Sequence, residues 1–239
     1  ATETRTDWEV ESLPAVVRRI IPKTLLLVPT EIERQHLASQ PRFNSYGACE
    51  LCGFGPVAAA ARTASQIAVH KPDRVLLIGI AGTFDSTVLP VGGAAFFSRV
   101  RMHGIGVGSD ESFVPAEELG FQQWAGAGPE DGIGDELMLT VPIQSGVGSL
   151  LTVSAASAST QDARQRLQRY PGVVAEDMEG YAVALACRLD NVPLVIVRGV
   201  SNVVGDRLSA NWQIREALAA AWSVSEEAIV CSSWDDNPA

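Results

Sequence analysis

The sequence predicts an α/β fold: a single domain on a mixed, mostly parallel central sheet flanked by helices. Three observations predict it. The compact apolar runs "TLLLVP" (24–29), "RVLLIGIAG" (74–82) and "VPLVIVRGVSN" (192–202) read as strands buried on both faces. Segments with helical spacing alternate with these runs, which favours parallel strands covered on both sides. A length of 239 residues with 46% hydrophobic side chains fits one domain with a sizeable core.

The elements follow in order. Residues 1–22 form an N-terminal extension, predicted as a short helix ending near Pro22. After the strand at 24–29, Thr30 opens the helix "EIERQHLAS". "CELCGFGP" (49–56) reads as a strand running into a glycine turn, and the alanine-rich 57–70 as a helix. The strand at 74–82 comes next, then "AAFFSRVRM" (94–102) as one further strand. Residues 103–135, rich in Gly, Asp, Glu and Pro, are read as a long functional loop or a weakly structured insert. "SLLTVSAAS" (149–157) is strand, "TQDARQRLQRY" (160–170) helix, and "GVVAEDMEG" (172–180) strand leading into the helix "YAVALACRL" (181–189). The strand at 192–202 and a long helix at 211–230 complete the domain, which spans 23–231. The tail, 232–239, is expected to be unstructured.

The formal charge of −10 works against a nucleic-acid surface, because phosphate would be repelled. Arg164, Arg166 and Arg169 lie at helical spacing and read as a solvated face. Apolar runs such as Val192–Val197 are far too short to span a bilayer. The N-terminus lacks the basic and apolar regions of a signal peptide, so a cytosolic protein is expected. Cys49 and Cys52 form a single C-x-x-C with no second pair, and His36, His70 and His103 are scattered. That pattern suits core thiols on a strand better than a zinc or redox site, and no metal site is predicted.

In a sheet of this class ligands sit beyond the carboxyl ends of strands, so the residues just after each apolar run carry the interest. Gly53-x-Gly55-x-x-Ala58 has the form of a dinucleotide fingerprint. The acidic residue that should end the next strand is missing, since that strand ends in Ile-Ala-Gly. The glycines are therefore read as permitting a tight turn and close backbone approach. Glu33 lies three residues after Thr30, a spacing that favours a capping box and also admits a carboxylate that activates water. Spacing alone does not separate the two. Glu176, Asp177 and Glu179 crowd together in "EDMEG", where acids at a helix start are stabilised by its dipole. Glu179 precedes an apolar helix, and its two oxygens could accept from a pair of vicinal hydroxyls, as in a ribose. Asn202, just past a strand, is either a turn residue or a ligand contact.

Taken in order, "PTEIE", "GFGPVAAA", "IGIAGTFDSTVLPVGGAAFFSRV", "DMEGYAVALA" and "VPLVIVRGVSN" resemble the purine nucleoside phosphorylase and nucleosidase superfamily over residues 24–222. "GSDESFVPAEELGF" (108–121) and "RGVSNVVGDR" make the futalosine-cleaving branch the most similar. The resemblance implies a nucleoside phosphorylase-like fold and hydrolysis of the N-glycosidic bond of futalosine, with release of hypoxanthine on a route to menaquinone. It implies no cofactor, a small-molecule nucleoside as substrate, no nucleic-acid or membrane partner, and a homo-oligomer built on dimers. Residue by residue, Glu33 matches the glutamate that activates the attacking water. Met178 and Glu179 match the ribose contacts, and Ser201, Asn202 and Gly82 lie at or near the base. Where adenine-releasing relatives carry an aspartate facing the purine, this sequence has Asn202. An amide donates to the O6 and N7 acceptors of a 6-oxopurine without titrating.

Two departures matter. The small residues of "TVSAASAS" (152–159) stand where relatives carry a base-stacking aromatic, which Phe113 or Phe121 is then expected to supply. Arg198 is a candidate phosphate ligand. It keeps open a phosphorylase acting on 6-oxopurine nucleosides, beside a catalytically inactive nucleoside-binding protein of the same fold. The loop 103–135 is expected to contact the 5′ side of the ribose.

Overall fold

The computed structural model describes residues 22–128, 131–142, 146–231 and Trp234; the predicted N-terminal helix falls outside the described residues. Strand β1 (Thr24–Val28) is buried throughout and leads into helix α1 (Glu31–Ala38). β2 (Ala48–Leu51) turns through glycines into α2 (Pro56–His70), whose proline sits in the first turn where its missing N–H costs nothing. β3 (Arg74–Thr83) is the long central strand. β4 (Ala94–Phe96), β5 (Arg99–His103), β6 (Gly106–Val107), β7 (Val114–Pro115) and β8 (Glu136–Met138) follow. β9 (Ser149–Val153) precedes α3 (Thr160–Arg169), and β10 (Val173–Asp177) precedes α4 (Gly180–Leu189). β11 (Leu194–Val203) and α5 (Ile214–Val230) complete the domain.

Nine of these strands form one sheet in which β3 has three neighbours. β11 runs parallel to it through residues 75–83. The opposite edge is divided. β1 pairs in parallel with residues 74–77, while β10 pairs antiparallel with Gly82 and Thr83. The sheet continues outward from β10 through β9 and β5 to β8, from β1 to β2, and from β11 to β4. Splitting one edge between two strands leaves a gap where β1 ends and β10 has not yet begun. A cleft opens there.

The alternation of side chains along β1, β3 and β11 feeds two cores. Leu25, Leu27, Val75, Leu77 and Ile196 face one side, under α2 and α4. Leu26, Val28, Leu76, Ile78, Val195 and Val197 face the other, under α1 and α5. Each fully buried side chain of this size contributes about 1.5–3 kcal/mol, so the two cores fix the strand ends around the cleft.

Four sequence expectations change. The run 94–102 is two strands, not one: β4 pairs with β11, and after Phe97-Ser98 the chain crosses to pair with β9 as β5. Its β-forming composition is continuous, so nothing in the pattern marks the crossing. The stretch 103–135 is not shapeless: β6 and β7 form a small antiparallel pair, and Trp124 bridges to Ile133. Arg166 is not on a solvated face: it turns inward and ion-pairs with buried Glu176. Trp234, in the predicted unstructured tail, is 1% exposed beneath the guanidinium of Arg74, 4.5 Å from its ring centre, and donates to Ala228 O at 2.7 Å. Among the described residues, no helix is long and apolar enough to cross a membrane.

Candidate active site

The cleft beside β3 encloses a cavity of about 270 Å³. Its walls come from the ends of β1, β3, β10 and β11. Glu33, Gly82, Met178, Glu179, Ser201 and Asn202 all line it. These are the six residues that the resemblance assigns to water activation, ribose or base, and the fold brings them to one place from four separated segments.

One side of the cavity is acidic. Thr30 caps α1 by accepting from Glu33 N at 3.3 Å, so half of the predicted capping box is present. The glutamate does not return the bond to the backbone of Thr30. Its Oε2 accepts from the Thr30 hydroxyl at 2.5 Å and its Oε1 from Ile80 N–H at 3.0 Å, which aims the carboxylate at β3. Beneath it lies Arg198, 0% exposed. Its Nε and Nη2 fork onto Asp177 Oδ2 at 3.0 and 2.6 Å, and Nη2 also reaches Glu179 Oε2 at 3.3 Å. Nη1 meets no partner among the described residues. Gly79 explains how these groups approach: a Cβ there would lie 2.1 Å from Arg198 Nη1 and 2.9 Å from Glu33 Oε1. Both atoms therefore border the same bare stretch of β3.

Asp177 is the anchor of the set. Besides Arg198 it accepts from Thr152 Oγ1 at 2.6 Å and from Gly180 N–H at 2.9 Å. Burial alone would push the Arg198 pKa down, but Asp177, then Glu179 and Glu33, outweigh it and push it up. Glu179 accepts from Gly55 N–H at 3.0 Å. Gly55 has φ +80°, the left-handed region open to glycine. The Gly53-x-Gly55 turn thus presents an N–H to a carboxylate. Burial pushes the Glu179 carboxyl up to about 7; Arg198 opposes the rise, Asp177 adds to it and the Gly55 N–H opposes it again.

The opposite side is built on a bulge. β11 loses register with β3 at Ser201, so that Val200 faces Ala81 and Asn202 faces Gly82. Ser201 Oγ lies 2.7 Å from Asn202 Oδ1, and Asn202 Nδ2 donates to Val203 O at 2.9 Å. Its second hydrogen faces Asp206 O at 3.5 Å, too far to be held firmly. A Cβ on Gly82 would lie 3.5 Å from Nδ2, so the amide nitrogen overlooks the cavity floor at that glycine.

Several residues fall elsewhere than the sequence suggests. Phe113 packs edge-on against His103, 4.7 Å between ring centres, and Phe121 is 66% exposed. Neither lines the cavity, and no described residue of 103–135 does. The aromatic rings at its walls are Phe54 and Trp212. Arg198 is fully buried, with Nε and Nη2 committed to Asp177 and Glu179. Among the described residues, Arg207, its guanidinium over Trp212 at 5.2 Å, is the cation that lines the cavity. Sequence reading passed over Asp177 and Glu176 as individual residues. "EDMEG" named them as acids, but only the register of β10 shows which way each points. Burial pushes the thiols of Cys49 and Cys52 up to about 11 and 12, the opposite of what a redox pair needs.

Comparison with known proteins places this geometry. The sequence model of the phosphorylase superfamily matches residues 48–231. A futalosine hydrolase of Streptomyces coelicolor is 34% identical over 190 residues, covering 76% of this chain and 78% of that protein. A futalosine hydrolase of Thermus thermophilus is 31% identical over 208 residues, covering 82% and 90% respectively. Among solved structures, a 5′-methylthioadenosine/S-adenosylhomocysteine nucleosidase of Colwellia psychrerythraea in complex with adenine superposes with a TM-score of 0.67 at 20% identity, covering 87% of this chain and 94% of that one.

Proposed function

The chain belongs to the phosphorylase superfamily, in the family of the futalosine hydrolases, and from that premise we propose that it hydrolyses the N-glycosidic bond of futalosine and releases hypoxanthine. Glu33 takes a proton from the attacking water. Glu179 accepts from the 2′- and 3′-hydroxyls of the ribose, and Met178 packs against the sugar. Asn202 donates to the departing base, whose O6 and N7 gather negative charge as the bond to the sugar breaks. The proposal extends to a cytoplasmic step on a route to menaquinone, as the sequence resemblance implies. It also includes a homodimer, for which the exposed Ile32, Phe54 and Val57 offer an apolar surface beside the cavity.

One observation carries hydrolysis over phosphorolysis. Glu33, Asp177 and Glu179 surround the attack side, and the cation among them, Arg198, is fully buried and committed to two of the three. A phosphate dianion would be repelled by the net negative charge there, whereas a neutral water would not. The unpartnered Nη1 and Glu33 Oε1 border the same bare stretch of Gly79. A water between them would accept from the arginine and donate to the glutamate.

The test is incubation with futalosine and with inosine, with and without phosphate, following hypoxanthine. Release independent of phosphate is expected. Strict dependence on phosphate would make the protein a phosphorylase, and binding without release would make it an inactive fold. Glu33→Gln is expected to lower kcat by about 10²–10⁴-fold, the range for a positioned general base, while ligand affinity stays near wild type.

A further inference from the structure

The register of the sheet sets three residues in a row across adjacent strands. Glu176 of β10 pairs with Gly82 of β3, and Gly82 pairs with Asn202 of β11. Residues paired in this way project to the same face of a sheet, and neighbouring strands stand about 4.8 Å apart. The middle position has no side chain. All three residues line the cavity. The floor at Gly82, which the side chain of Val204 also approaches (its Cγ2 would lie 3.0 Å from a Cβ there), thus has a carboxylate on one side and a carboxamide on the other.

Glu176 is 6% exposed. Ser157 N–H donates to its Oε1 at 2.8 Å and the Ser157 hydroxyl to its Oε2 at 2.8 Å. Arg166 completes the set with an ion pair to Oε2, and itself donates to Ser157 Oγ at 2.8 Å and Ala155 O at 2.8 Å. Three donors are thus spent on a group with about four acceptor positions. The clamp holds the carboxylate in one orientation and leaves it one acceptor position to use.

We propose that Glu176 reads the N1–H edge of a 6-oxopurine base, as the acceptor opposite the Asn202 donor across Gly82. This inference rests on the reading of the protein as a nucleosidase for such bases. A 6-oxopurine presents O6 and N7 as acceptors on one edge and N1–H as a donor beside them. The floor offers the complement, with an amide N–H at Asn202 and a carboxylate at Glu176. A 6-aminopurine has a lone pair at N1, which would face the carboxylate unpaired, and sites that bury such a mismatch discriminate strongly. Asn202 alone leaves the N1 position unread.

Binding of free bases tests this without relying on turnover. Hypoxanthine is expected to bind the wild-type protein at least tenfold more tightly than 1-methylhypoxanthine by calorimetry. In Glu176→Gln the amide oxygen keeps the two donors at the Oε2 position, Arg166 and the Ser157 hydroxyl, and the NH₂ takes the Oε1 position, where the free acceptor is lost, so the ratio is expected to fall close to one. Ser157→Ala, which removes one clamp donor, is expected to lower the ratio severalfold and serves if Glu176→Gln does not fold. A wild-type ratio near one overturns the proposal. So does a ratio that survives in both variants, because it then reports crowding by the methyl group. Futalosine cleavage is measured beside it: intact hydrolysis without discrimination at N1 defeats only the role of Glu176, whereas absence of cleavage defeats the functional reading itself.

Discussion

In the proposed reaction much turns on a single side chain, Asn202. Its amide has a donor end and an acceptor end, and only the donor end suits a 6-oxopurine leaving group. Ser201 Oγ, 2.7 Å from Oδ1, and Val203 O, 2.9 Å from Nδ2, together fix which end faces Gly82. Asn202→Asp replaces the donor by a carboxylate beside a base that is gaining negative charge. The loss of one such donor costs about 10²–10³ in kcat. A fall of that size on futalosine is expected near pH 8, with partial recovery as the pH is lowered and the new carboxyl takes up a proton. A rate equal to wild type at pH 8 would refute donation by Asn202. Ser201→Ala separates orientation from donation: it keeps the amide but frees it to flip, so a smaller loss, severalfold, is expected in the same assay.

At the scale of elements, the site is a property of β3 and its divided edge. Gly79 lets Glu33 of α1 and Arg198 of β11 close over the strand from either side. Gly79→Ala inserts a methyl 2.1 Å from a guanidinium already forked onto Asp177, which leaves it no free direction to retreat. Overpacking of this kind costs about 1–3 kcal/mol. A lower urea midpoint together with at least a hundredfold loss in kcat/KM is expected, and full activity would show that the two groups need not meet there. Which of these elements were legible follows from physical scale. The strands at 24–29, 74–82 and 192–202 and the helices around them were plain, because continuous burial leaves a continuous apolar pattern. The break between β4 and β5, the two-residue strands β6 and β7, and β8 were not, because a change of partner or a very short strand leaves no periodicity. Among site residues, those just past strand ends could be picked out by position. The Arg198–Asp177 fork and the row through Gly82 depend on register between strands far apart in sequence, which no local spacing encodes. The inward turn of Arg166 escaped for the same reason, since its partner lies on β10 and not on its own helix.

For the whole molecule, the cavity is bought with stability. Glu179 is 5% exposed, and burial raises its carboxyl to about 7 from an ordinary value of 4.5. The folded state therefore holds a proton on this group between about pH 4.5 and 7 that the unfolded chain has released. Where the native state binds more protons, unfolding free energy falls as pH rises. The penalty is absent below about 4.5, grows through the window and is complete above about 7. Arg198 and Gly55 N–H reduce it but do not cancel it, since the shift remains upward after both have acted. In the proposed reaction it is the carboxylate that accepts from two ribose hydroxyls, so the proposed role needs the state that folding disfavours. Substrate KM is accordingly expected to fall as pH is raised from 6 to 8. Glu179→Gln keeps the shape and an acceptor for Gly55 N–H while removing the charge, and gives up only the long 3.3 Å contact from Arg198 Nη2, so it is expected to lose ribose affinity and gain thermal stability. The gain is expected to depend on pH: negligible in a melting scan at pH 4.5, and several degrees at pH 8, at roughly 2–4 °C per kcal/mol for a chain of this size. A gain equal at both pH values would assign it to packing, and no gain at pH 8 would mean that Arg198 and Gly55 N–H already neutralise the cost of burying Glu179.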